Sequence, residues 1–307
     1  MFDSPLSASA YEVLGVAPDA DDDELRRAYR LRLRQSHPDT GGDASVFVQV
    51  QRAWQLVGTS DARAAYDRGH GFVDSAGWAG WHPPARRDTR VRGQAYGTPG
   101  GWVRARYVQR VHEWAGVDAA IADPYDPSLV RTLPRELRRM VAAALAEEAT
   151  AHALAQLGMG FTSWHDVLAG ASADASADDK LDHLVLSPTG LYGLMSEDFG
   201  GVVGFRQGEI VGPSVGPTAP VTTLLSRMRA VGKPAGVRFS AAVVVLPDDD
   251  VAQPVTPLGG IRGVSTFVVR RSVVPSALRG GLPGSRPVGG NEIFDIRTRL
   301  QGSVRFV

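Results

Sequence analysis

The sequence predicts a multidomain chain. An all-α N-terminal part is built on an antiparallel helical hairpin with a His-Pro-Asp loop, and a mixed α/β part follows. Three observations predict this. Residues 25–67 carry two apolar stripes at helical spacing, separated by the breaker His37-Pro38-Asp39. After Gly158 the apolar period changes from helical to strand-like. Between these regions lies a stretch rich in Gly, Pro, Arg and Trp with no sustained period. The predicted parts are residues 8–69, 70–130 and 131–307.

Taken in order, Ser7 or Ser9 can cap a first helix through Leu14, which Gly15 ends before Pro18. The next helix opens on Asp23 and Glu24, carboxylates that suit a helix N-terminus. Leu25, Ala28, Tyr29 and Leu33 form its apolar stripe, while Arg26, Arg27, Arg30 and Arg34 lie off it. Pro38 cannot continue that helix and biases His37 away from helical angles. After Gly41-Gly42, Phe47, Val50, Ala53, Trp54 and Val57 share one face of a second helix. Ser60-Asp61 caps a last short helix ending near Gly69.

Residues 70–130 read as a linker, although Trp78, Trp81 and Trp102 are costly to leave in water. Arg86, Arg87, Arg90, Arg92, Arg104, Arg106 and Arg110 interleave with Trp102 and Tyr107. Such a mixture can stack on and neutralise single-stranded nucleic acid; a solvated linker with docked aromatics is the alternative. Thr132 and Pro134 open a long helix with Leu137, Val141, Ala144, Leu145, Ala151 and Leu154 on its apolar face. Strands are expected at 161–167, 183–187, 191–195, 202–206, 209–211, 241–246 and 266–270. Turns fall at Pro188-Thr189-Gly190 and Gln207-Gly208, and an acidic loop at 171–179. Helices are expected at 221–231, 276–279 and 293–300.

Composition narrows the classes. The 307 residues hold 33 basic and 33 acidic side chains, so no net field points to nucleic acid or membrane. With no cysteine there are no disulfides or thiolate metal sites. The first ten residues lack a basic, apolar leader, and no apolar run approaches bilayer length. These features predict a soluble, cytoplasmic protein.

The run Tyr11-Glu12-Val13-Leu14-Gly15-Val16, then Leu25 to Arg30, His37-Pro38-Asp39, Gly41-Gly42-Asp43 and Arg63-Ala64-Ala65-Tyr66-Asp67 resembles the J-domain of DnaJ (Hsp40) co-chaperones. The resemblance implies docking on a DnaK-type Hsp70 and stimulation of its ATPase. It assigns the contacts to His37, Pro38, Asp39, Arg26, Tyr29 and Arg30, with an unidentified client as second partner. Leu31 departs from the family's usual basic residue, and Ser36 from its frequent aromatic. The Cys-rich zinc region of general-purpose DnaJ proteins is missing, which suggests a specialised role.

The run Asp182 to Tyr192, with Glu147-Glu148 and Trp164 to Leu168, is similar to the nuclease-related domain (NERD) of the restriction-endonuclease-like superfamily, over roughly 135–285. That resemblance implies an Asp, then an acidic residue and a lysine two positions on, holding and assisting Mg²⁺. Asp182 matches, but Met195 stands at the acidic position and Glu197 at the lysine. Lys180 and Lys233 are the only lysines. The expectation is a fold without catalysis, metal or cofactor. The alternative is a nucleic-acid binder, or a metal-dependent nuclease drawn from Asp182, Glu197 and Asp198, with an appended J-domain. His183 is expected to be a structural histidine. His112, His152 and His165 have no partners at zinc-ligand spacing.

Overall fold

In a computed structural model, residues 4–6, 9–17, 19–37, 42, 44–69, 93–116, 121–170, 179–261 and 263–307 are described. Ser7, Pro18, Pro38, Asp39, Trp78, Trp81 and the arginines between 86 and 92 lie outside them. The chain divides into two compact units, one of residues 1–84 with 120–138, the other of 85–119 with 139–307.

The first unit opens with α1 (Ala10–Leu14). Ser9 caps it: its hydroxyl accepts from the Glu12 N–H, and the Glu12 carboxylate accepts from the Ser9 N–H. Gly15 ends it at φ 77°, an angle that side chains with a Cβ rarely adopt. Helix α2 (Asp22–Ser36) is capped by Asp21, two residues before the first of the expected acids. Helices α3 (Ala44–Val57) and α4 (Ser60–Gly69) follow. Tyr29 stacks on Trp54 at 4.4 Å, and His37 meets Phe47 edge-on at 5.1 Å. As the residue number rises in α2, its partner's number falls in α3, so the two run antiparallel, as the sequence predicts. Tyr11, Leu14, Leu25, Val50, Ala53, Val57 and Tyr66 fill the core.

A polar clasp closes this core. The Tyr11 hydroxyl donates to Asp67 Oδ1 at 2.6 Å and accepts from Arg63 Nε at 3.1 Å. Arg63 also donates to the Ala20 carbonyl and to Asp22. The Tyr66 hydroxyl accepts from the Ala10 N–H. Short α1, α2 and α4 are thereby tied together by bonds that their own lengths would not supply.

The stretch 70–130, which the sequence reads as a linker, contains regular structure. Strand β1 (Gln94–Tyr96) and helix α5 (Gly101–Ala115) belong to the second unit, and α6 (Pro127–Thr132) to the first. Asp126 caps α6, with Pro127 in its first turn. Arg131 on α6 is half-buried and interacts with Tyr66 and Glu12; burial pulls its pKa below the ordinary value. Helix α5 escapes a periodicity reading because it buries only Tyr107 and Val111. Thr132 ends α6, its hydroxyl donating to the Leu129 carbonyl, rather than capping α7 (Arg135–Leu154).

The second unit is built on a seven-stranded mixed sheet of β1, β2 (Thr162–Leu168), β3 (Lys180–Ser187), β4 (Gly190–Ser196), β7 (Ala241–Leu246), β9 (Val264–Arg270) and β8 (Val255–Ile261), in that spatial order. β2, β3 and β4 form the expected antiparallel meander, while β7 runs parallel to both β4 and β9. β5 (Gly204–Arg206) and β6 (Glu209–Val211) make a separate hairpin, turned by Gln207 and Gly208, both at positive φ. Helix α8 (Pro220–Ala235) and the later α10 (Asn291–Ser303) contribute Leu224, Met228, Val231, Ile296 and Leu300 to one hydrophobic cluster. A second cluster joins Leu154, Tyr192, Val243 and Phe267 to α9 (Val274–Gly280). Strands buried on both faces explain the continuous apolar runs 241–246 and 184–186. β1 and β8 were not expected; β8 contains Pro257, Gly259 and Gly260, residues unfavourable to strands.

Burial and Asp67 push the Tyr11 phenol from 10.0 up to about 12. Its neutral form therefore contributes stability that is intact below pH 10 and is lost as pH rises towards 12. Tyr11→Phe should cost the first unit about 1–3 kcal/mol in urea unfolding followed by Trp fluorescence. It should also flatten the loss of stability above pH 10.

Candidate functional site: a hairpin tip and a lysine-centred cluster

At the tip of the hairpin, His37 leaves the helix at φ −66° and ψ 129°, the extended conformation that a following proline favours. Its carbonyl accepts from the Gly42 N–H at 3.0 Å, closing the loop. Its ring rests against Phe47 and is part-exposed. Pro38 and Asp39 lie outside the described residues. Along α2, Arg26, Arg27, Arg30 and Arg34 are exposed, giving one face a run of guanidinium groups. Arg30 Nε donates to the Arg26 carbonyl, and Arg26 lies 3.8 Å from Asp23. Tyr29 is half-buried by its stack on Trp54, which fixes its ring direction. Ser36 is buried, and its hydroxyl donates to the Arg32 carbonyl at 2.8 Å. That bond explains how a small polar residue fits there. Leu31 stands 57% exposed, an apolar residue in the middle of the arginine helix.

The second constellation is buried in the α/β unit. Lys180, 4% exposed, directs Nζ at Glu147 Oε2 (2.5 Å), Asp166 Oδ1 (2.8 Å) and Asp182 Oδ1 (3.3 Å). Backbone N–H groups add to the cluster, reaching the second oxygen of each aspartate and the same Glu147 oxygen that Lys180 binds. Ser196 N–H donates to Asp182 Oδ2, Gly100 N–H to Glu147 and Trp102 N–H to Asp166. The last two lie at the start of α5, where unpaired helix N–H groups favour an anion. Burial and the Asp182 charge push the Glu147 carboxyl well above the usual carboxylate range. Burial pulls the Lys180 ammonium down, but Asp182, Glu147 and Asp166 together outweigh it and raise its pKa. The cluster therefore favours the ammonium form of Lys180 and makes the Glu147 carboxyl harder to ionise.

Beside it runs a buried chain, Ser163 to His165 to His183 to Ser196, with the two imidazole Nδ1 atoms 2.8 Å apart. Burial lowers His165 to about 4 and, with the charge of Lys180 and the neighbouring His165, pulls His183 well below the ordinary histidine value. His183 is buried and hydrogen-bonded. Asp182, Glu197 and Asp198 do not converge as one ligand set. Asp182 is engaged by Lys180 and Ser196, Asp198 accepts from the Gly200 N–H, and burial pushes Glu197 up to about 7.

The basic and aromatic side chains of α5 are also engaged within the unit. Arg104 pairs with Glu148, Arg106 lies over the Trp102 ring at 4.7 Å, and Arg110 is 3.9 Å from Glu113. The sequence reading missed Lys180 as a centre. Its signal was available: it is one of only two lysines in the chain and stands two residues before Asp182.

Removing the ammonium should leave three buried carboxylates facing one another. Lys180→Met should destabilise the protein by about 3–5 kcal/mol in urea unfolding. The raised carboxyl pKa sets the sign: carboxyls that are hard to ionise in the fold lose stability as pH rises. The loss should therefore be larger at pH 8 than at pH 5.

Residues 9–67 match the DnaJ domain family. The chain is similar to the chaperone protein DnaJ of Bordetella petrii, at 46% identity over 23% of this chain and 21% of that protein. The corresponding protein of Thermosynechococcus vestitus is 43% identical over 25% and 21%, and that of Oleidesulfovibrio alaskensis 41% identical over 23% and 20%. The chain thus spans about a fifth of the length of the curated relatives it matches. The helical hairpin, its His37 tip and the sequence match together make residues 9–67 a DnaJ domain.

Proposed function

We propose that this protein is an Hsp70 co-chaperone. The observation that carries the reading is a DnaJ domain with His37 at the hairpin tip and exposed arginines along α2. In this reading His37, Pro38 and Asp39 form the polar and rigid contact with a DnaK-type Hsp70. Arg26, Tyr29 and Arg30 flank it. The arginines orient the encounter with an acidic partner surface and raise its rate, which is the usual role of exposed interfacial charge. The reading places the protein in the cytoplasm; no helix among the described residues is long and apolar enough to cross a membrane.

The α/β unit then serves to recognise a client or site. Its meander, the helix carrying Glu147 and the parallel closing strands support a restriction-endonuclease-like fold of the nuclease-related type. Catalysis is not proposed for it. Met195 and Glu197 replace the acidic residue and lysine of the motif, and Lys180 already engages Asp182, Asp166 and Glu147.

The test is steady-state ATPase of a bacterial Hsp70 with wild type and with His37→Gln. Stimulation should be present with wild type and fall to background in the variant. Arg26→Ala with Arg30→Ala should weaken it about 3–10-fold, more at low ionic strength than at high. No stimulation by wild type of an active Hsp70 would sink the reading. Metal-dependent cleavage of DNA or RNA abolished by Asp182→Ala would instead make the second unit an enzyme.

A further inference from the structure

The second unit carries a groove that the DnaJ reading does not use. It lies between α8 and the N-terminal ends of β7 and β9, with a cavity volume of about 1180 Å³. That exceeds the range typical of small-molecule pockets, so an extended segment fits it better than a compact ligand. Leu225, Met228, Val237, Phe239 and Val264 supply an apolar lining. Arg229, Lys233 and Arg238 also line it, all three exposed and none paired with a carboxylate among the described residues.

The cations need an explanation beyond the helix end. A base in the last turn of α8 would offset the negative end of its dipole. Arg299 already does this, its Nη1 donating to the Gly236 carbonyl at 3.4 Å. The Gly236 N–H in turn donates to the carbonyls of Gly232 and Lys233. Arg229, Lys233 and Arg238 remain as a local positive excess on a chain with 33 acids and 33 bases. The acidic run Asp248–Asp250 does not neutralise it. That run follows the C-terminal end of β7, while Phe239 precedes its N-terminal end, about 20 Å away along a strand of this length.

We propose that this groove binds an extended protein segment in which apolar side chains alternate with carboxylates. Alternation puts one set into the lining and the other against the guanidinium and ammonium groups. A single-stranded nucleic acid is disfavoured. Bases need aromatic platforms, and the groove offers one half-buried phenylalanine among aliphatic side chains. The inference names a partner class for the client-recognition role proposed above, but it does not rest on Hsp70 docking, which is tested separately.

The experiment is fluorescence anisotropy on the full chain with a short fluorescein-labelled peptide alternating leucine and aspartate. A leucine–lysine counterpart and labelled oligothymidylate serve as competitors of other chemistry. The acidic peptide should bind wild type and the lysine peptide should not. Arg229→Glu with Lys233→Glu and Arg238→Glu should weaken the acidic peptide at least about tenfold, equal to ~1.4 kcal/mol. Stimulation of Hsp70 ATPase should be unchanged in that variant, and a urea unfolding transition of the second unit matching that of wild type shows that it is folded. If the triple reversal does not fold, Lys233→Gln with Arg238→Gln should give a smaller loss in the same direction. No binding of the acidic peptide by wild type overturns the proposal, as does affinity indifferent to these substitutions. Oligothymidylate bound in the peptide's place, with the same charge dependence, would also overturn it and assign the groove to nucleic acid.

Discussion

One ammonium holds the α/β unit in register. Lys180 on β3 meets Glu147 from α7, Asp166 from β2 and Asp182 from its own strand, and the same carboxylates receive N–H groups from the start of α5 and from β4. A buried charge set of this kind is not a strong source of net stability, because desolvation offsets much of the attraction. It does exclude alternatives. Sliding β3 by one residue would turn Lys180 and Asp182 together to the other face and strand Glu147 and Asp166 without their cation in an apolar interior. The neighbouring Ser163–His165–His183–Ser196 chain adds a second set of directional bonds across the same three strands. Register in this part of the sheet is therefore set by polar geometry, where β7 is an unbroken run of buried apolar side chains.

The DnaJ unit follows a different logic. Its hairpin is held at one end by the Tyr29–Trp54 stack and at the other by His37 against Phe47, so the tip is an extension of the packed helices. The Tyr11–Asp67–Arg63 clasp sits away from the tip and fixes the short helices. Interior contacts thus consume the aromatic and apolar side chains, and the arginines of α2 are left facing solvent.

Much of this was legible in the sequence. The four helices of residues 9–69 announce themselves through capping residues, a proline breaker and clean helical spacing, and residues 162–196 through alternating pattern and turn chemistry. What escaped had physical reasons. Helix α5 buries only two side chains, so its periodicity is too weak to see. β1 is three residues long, and β8 carries Pro257 and paired glycines. The lysine cluster unites residues from 147 to 182; the Lys180-x-Asp182 spacing marks one local pair, but the meeting with Glu147 and Asp166 is made by the fold. The hairpin tip was readable because its residues are adjacent in the chain; the buried cluster was not, because the fold assembles it.

Helix α6 gives the gene a constraint of its own. It joins the first unit through Arg131 beside Tyr66 and Glu12, yet it is encoded after β1 and α5, which belong to the second. The DnaJ domain is therefore contiguous in sequence, while the compact unit around it is interleaved with the other. Recombination that exchanged residues 1–69 as a cassette would carry the hairpin tip and the arginine face of α2 but leave the α6 buttress behind. Such an exchange would sever the contacts of Arg131 with Tyr66 and Glu12, so the unit that holds the DnaJ domain can be moved intact only together with residues encoded beyond β1 and α5.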